Sequence, residues 1–129
     1  MDKEQTKKLV SLQKGELVGV QIYRQLAKVA HDSDLTKKLN TISEEEYTHS
    51  QILRKLTGAD KKGNPLIGKL MGLMKGLMGM KKVLRMTAKG QYDTAKKYDQ
   101  LVDQFPTLSV VAKQEKEHGN LLEKLANNL

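Results

Sequence analysis

A chain of 129 residues, 38% of them hydrophobic, is long enough for one modest core and not for two, which predicts a single domain over residues 1–129. The absence of cysteine excludes disulfides, zinc-thiolate sites and cysteine-ligated iron centres, and it suits a reducing cytosol. A formal net charge of +8 favours an acidic partner, but four Tyr, one Phe and no Trp offer few rings to stack on bases, which argues against single-stranded nucleic acid.

The N-terminus, Met1-Asp2-Lys3-Glu4-Gln5, is charged and has no apolar core, so it does not read as a secretory signal, and a cytoplasmic location is expected. No run approaches the ~18 uninterrupted apolar residues of a membrane span. Period-two alternation is nowhere sustained, whereas helical periodicity is, and the class is all-α. The first helix is predicted from about Lys3 to Ala30, with an inner stripe of Leu9, Leu12, Glu16, Gly19, Tyr23, Ala27 and Ala30. Asp32-Ser33-Asp34 breaks it and offers N-caps for a second helix over about Leu35 to Leu56, an antiparallel neighbour because the connection is short. His31, at the end of the first helix, reads as a partner for the helix dipole and not as a ligand.

Gly58, Gly63, Asn64 and Pro65 mark a loop. Leu66 to Met80 then interleaves Leu and Met with glycines, each of which weakens an isolated helix by up to ~1 kcal/mol, so only packing would hold this run helical. The third clear helix is expected from about Lys81 to Gln104, with Leu84, Ala88, Gln91, Ala95, Tyr98 and Val102 on one face. Pro106 suits the first turn of a fourth, which runs to about Asn127. The connection 57–80 is long enough, at ~1.5 Å per helical residue, to run the length of a bundle, which predicts that the second and third clear helices lie parallel.

Two of the stripes carry an unusual insertion. Leu35, Leu39, Ile42, Glu46, His49, Leu53 and Leu56 share one face, and so do Leu108, Val111, Glu115, His118, Leu122 and Leu125. In each, a Glu and a His three residues apart stand where a bundle helix carries Leu. One Glu-x-x-His on a helix is commonly a solvated pair. Two, each centred in an apolar stripe, point instead to a metal ion held by hard oxygen and borderline nitrogen, because such groups are costly to bury without a partner. The other two helices also correspond: Gly15-Glu16 with Tyr23 seven residues after the Glu matches Gly90-Gln91 with Tyr98 seven after the Gln. The chain reads as two helical hairpins of one design, which around an approximate two-fold would gather Glu16, Glu46, His49, Gln91, Glu115 and His118. Tyr23 and Tyr98 are either core tyrosines with satisfied hydroxyls or groups that hydrogen-bond ligating carboxylates.

On these motifs the chain resembles the rubrerythrin branch of the ferritin-like di-iron carboxylate proteins, from about Gln13 to Leu125, and is similar to the ferritin-like domains associated with vacuolar-iron-transporter-type proteins. Proteins of this kind place one Glu from each of two helices and a Glu-x-x-His from each of the other two around their metals. The resemblance implies a four-helix bundle with a long crossover between its second and third helices. It implies two iron ions (manganese being the alternative metal) that react with peroxide or dioxygen. Glu16 would be a terminal ligand, Glu46 and Glu115 would bridge, and His49 and His118 would each take one iron. Gln91 departs from the pattern: it stands where the repeat calls for a carboxylate, and a neutral amide neither bridges two cations nor supplies charge, so a lopsided or singly loaded site is an open alternative.

Charge is unevenly spread. Residues 57–97 hold ten Lys or Arg and two acids, while the remainder balances. Five of the six methionines lie in the same segment. The segment reads as a packed crossover with a solvated basic edge, or as a surface for an acidic partner or an anionic membrane. The expectation is an iron-binding redox protein supplied with electrons by an external donor protein, with a hairpin-swapped homodimer as one assembly. The alternative is a non-enzymatic bundle that binds metal weakly and works through its basic Met-rich segment.

Overall fold

The computed structural model describes the backbone of residues 1–129 and every side chain except that of Pro65. Five helices and no strand occur among the described residues: α1 (Lys3–Val29), α2 (Ser33–Thr57), α3 (Pro65–Met78), α4 (Met80–Asp99) and α5 (Leu108–Asn127). None is long and apolar enough to cross a membrane. Two compact units follow one another along the chain, Met1–Leu73 and Met74–Leu129.

In the first unit α1 and α2 pack along each other. A capping box opens α1: Gln5 N donates to Asp2 Oδ1 (2.7 Å) and Asp2 N donates to Gln5 Oε1 (3.1 Å). Asp32 caps α2 by accepting from Leu35 N at 2.8 Å. Gly58 ends α2 at φ 69°, a left-handed cap that returns its N–H to Arg54 O. Polar contacts track an antiparallel register from one end of the pair to the other. Thr36 Oγ1 donates to Ala27 O, Ser43 Oγ to Val20 O, and Gln13 Nε2 to Ala59 O. Leu9, Leu26, Leu35, Leu39, Ile42 and Leu53 of the two helices are buried.

The glycine-rich run is helical, and the glycines are the reason it packs. A Cβ at position 68 would stand 3.1 Å from Gln21 O, and one at position 72 would stand 3.0 Å from Gln25 Nε2. Bare backbone therefore lies against α1, with Met71 buried on the same side. Contact of this kind offsets the propensity that glycine gives up in isolation.

In the second unit α4 and α5 pack along each other, again antiparallel: Arg85 Nη2 donates to Asn127 Oδ1 at one end, and Lys116 pairs with Asp99 at the other. Between them Tyr92 donates to Asn120 Oδ1 at 2.6 Å, its ring so close to Gly119 that a Cβ there would fall 2.6 Å from the ring edge. Partial burial, and next the nearby Glu123 carboxylate, push the Tyr92 phenol above its ordinary value. Two boundaries differ from the sequence expectation. α4 ends at Asp99 and not near Gln104: a three-residue bond from Leu101 N to Tyr98 O tightens the chain there, a lone four-residue bond from Phe105 N to Leu101 O closes the turn that follows, and Leu101 is buried. α5 starts at Leu108 and not in the turn containing Pro106. Phe105, preceding a proline, is disfavoured in helical geometry, and three-residue bonds from Leu108 N to Phe105 O and Ser109 N to Pro106 O carry the chain into the helix.

Candidate metal centre

The six residues expected as ligands, Glu16, Glu46, His49, Gln91, Glu115 and His118, are all buried, as are Tyr23 and Tyr98. His31 is exposed. The burial of the six follows from helical periodicity: these polar residues share helix faces with Leu9, Leu12, Leu39, Ile42, Leu53, Leu84, Leu108 and Leu122, which the core claims.

In the α1–α2 pair the geometry is explicit. His49 Nδ1 lies 3.1 Å from Glu16 Oε1 and 3.7 Å from Glu46 Oε1. One ring nitrogen therefore faces two carboxylates, one from each helix. With its proton on Nδ1, His49 donates to Glu16; the same atom, deprotonated, is placed to ligate. Glu46 is held close to α1 by the lack of a side chain opposite it, since a Cβ at Gly19 would fall 2.5 Å from Glu46 Oε2. Gly19 is, from the sequence, a place where a helix or metal could come near; the group that uses the space is a carboxylate.

Glu115 completes a set of four. Glu16, Glu46, His49 and Glu115 are each at most 3% exposed, and each offers one oxygen or nitrogen within 4.8 Å of those of the others. The set could hold a metal ion: three carboxylates and an imidazole, shielded from water, in a medium where unbalanced charge is expensive. His118 is buried on α5 outside this set, and Gln91 is buried on α4.

Two supporting residues escape the sequence reading. Gln13, one turn before Glu16 and buried, donates to Ala59 O at 2.8 Å and accepts from Thr57 Oγ1 at 2.9 Å, which ties α1 to the end of α2. Ser43, one turn before Glu46, anchors α2 to α1 through the Val20 carbonyl. Both carry the same signal, a polar residue three positions before a ligand candidate on the same stripe. Comparison with protein-family models, curated proteins and solved structures finds no match to this chain.

Proposed function

We propose that the chain is an iron-binding redox protein of the ferritin-like di-iron kind, with Glu16, Glu46, His49 and Glu115 as the heart of its metal centre. Its proposed activity is peroxide reduction or Fe(II) oxidation. The observation that carries the reading is the buried set itself. Three carboxylates in a low-dielectric interior repel one another unless a cation or shared protons balance them, and an oxygen-rich set with imidazole and no thiolate suits Fe(II) or Mn(II) better than a soft metal. The second Glu-x-x-His supports extension of the site to two ions, with His118 and Gln91 on the second side. In this scheme the two hairpins form one four-helix bundle with a crossover between them, of the rubrerythrin-like pattern.

Bound iron would supply the one-electron chemistry toward peroxide or dioxygen. This chain's residues do the remainder. His49 Nδ1 and Glu16 Oε1, 3.1 Å apart, would hold one metal between them and would give up any proton they share when it is bound. The apolar stripes exclude water. Tyr23 and Tyr98, both buried, would orient ligating carboxylates through their hydroxyls. These 129 residues contain no cysteine to hold a thiolate-bound iron centre, and the scheme draws its electrons from a separate donor protein in the cytoplasm.

Protein purified aerobically after production with iron should retain iron. His49→Ala and Glu46→Gln should lose most of it while keeping their helix content. Peroxide consumption with an artificial reductant should fall in step with iron content. Native protein that takes up neither iron nor manganese would overturn the reading. Gln91 favours a second reading, in which a missing carboxylate leaves the bundle a weak metal binder without catalysis; iron content then stays well below one per chain and peroxide is not consumed.

A further inference from the structure

The outward face of α3 is apolar. Leu66, Leu70, Leu73 and Leu77 follow one another by four, three and four residues, a single line along a 14-residue helix, and they are 66, 54, 61 and 79% exposed. The opposite face is the one turned inward: Met71 is buried, and Gly68 and Gly72 lie against α1. A helix that covers its glycines and shows its leucines is inverted relative to an ordinary surface helix, whose apolar stripe faces the core. Contiguous exposed leucines in a soluble domain mark a surface meant to be covered.

Charge identifies what covers it. From Lys61 to Tyr92 there is no acidic residue, while Lys61, Lys62, Lys69, Lys75, Lys81, Lys82, Arg85 and Lys89 fall in that stretch. Lys61, Lys62 and Lys69 are exposed in or just before α3. A second copy of the same face would bring like charges together and offers no acidic complement, which argues against self-association. At ~1.5 Å per residue α3 is about 21 Å long, short of the ~30 Å hydrocarbon core, so it lies on a bilayer and does not cross it. We propose that α3 is a membrane-surface helix, with Leu66, Leu70, Leu73 and Leu77 entering the headgroup boundary of an anionic bilayer and the flanking lysines meeting its phosphates. The proposal is independent of the metal site.

The test is co-sedimentation of the intact protein with vesicles of phosphatidylcholine alone and with phosphatidylglycerol added. Binding should require the anionic lipid, weaken as salt is raised, and fall at least tenfold in Leu70→Ser/Leu73→Ser. Lys62→Glu/Lys69→Glu should reduce it several-fold. The substituted side chains are exposed, so far-ultraviolet circular dichroism and the melting temperature should match the native protein and separate lost binding from lost fold. Absence of binding to anionic vesicles overturns the proposal, and so does binding that Leu70→Ser/Leu73→Ser leaves intact. Concentration-dependent self-association by light scattering, abolished by the same leucine substitutions and unaccompanied by vesicle binding, would assign the face to a second copy and overturn it equally.

Discussion

Gly19 illustrates how much of the candidate site depends on a side chain that is not there. In the middle of a helix, replacing Gly by Ala ordinarily stabilises by up to ~1 kcal/mol. Here the new Cβ would fall 2.5 Å from Glu46 Oε2, and the flexible end of Glu46 must move away. Gly19→Ala is therefore expected to leave the metal-free melting temperature within a few degrees of native while weakening iron or manganese binding about tenfold or more, since a carboxylate displaced from His49 Nδ1 no longer converges with the other donors. Metal titration and a thermal melt on the same preparation check this. Unchanged affinity would mean that Glu46 contributes little to holding the ion.

Among the elements, α1 and α3 carry separable contributions. Gln13 bonds both Thr57 and Ala59 from within the core, and Ala59 N in turn donates to Thr57 Oγ1 at 3.1 Å, so one side chain organises the exit of α2. Gln13→Ala removes the partner of a part-buried carbonyl and should cost ~1–3 kcal/mol in denaturant unfolding, with the loss confined to the midpoint and not the slope. In α3 the glycines divide by environment. A Cβ at Gly76 would meet nothing within 4 Å, whereas one at Gly68 would abut the Gln21 carbonyl. Gly76→Ala should raise stability by ~0.5–1 kcal/mol, and Gly68→Ala should give no such gain, because separating α3 from α1 offsets the improved propensity. Protection of α3 amides from hydrogen exchange distinguishes the two. Equal gains would show that α3 is not held through its glycine face.

For the molecule as a whole, the balance of charge at the proposed centre would decide how much metal it holds. If Glu16, Glu46 and Glu115 are the only carboxylates of the proposed di-iron centre, two Fe(II) ions leave one positive charge uncompensated, and Gln91, where the repeat calls for a carboxylate, would supply none. Gln91→Glu should raise bound iron toward two ions per chain and speed peroxide turnover, measured by metal analysis and peroxide consumption on both forms. Native protein that already binds two ions tightly, with neither quantity altered by the substitution, would make Gln91 an adequate ligand or a bystander. The net charge of +8 acts on a different scale. It is concentrated on residues 57–97, which carry none of the three carboxylates.

Periodicity by itself determined the all-helical class, the approximate helix boundaries and the burial of Glu16, Glu46, His49, Gln91, Glu115 and His118, because a residue sharing a stripe with Leu39 or Leu122 goes where the leucines go. It also marked Glu-x-x-His as chemistry, since three-residue spacing places both groups on one face. It did not reach what depends on the neighbouring helix. That Glu16 and not only Glu46 faces His49 Nδ1, that Gly19 makes room for a carboxylate, and that Gln13 ties down the end of α2 are set by the register between α1 and α2, which no single-helix pattern encodes. The helicity of Leu66 to Met78 escapes the sequence for the same reason. Its glycines weaken the isolated helix, and only contact with Gln21 and Gln25 of α1 makes their bare backbone an advantage, at the same time turning the leucines of α3 toward solvent.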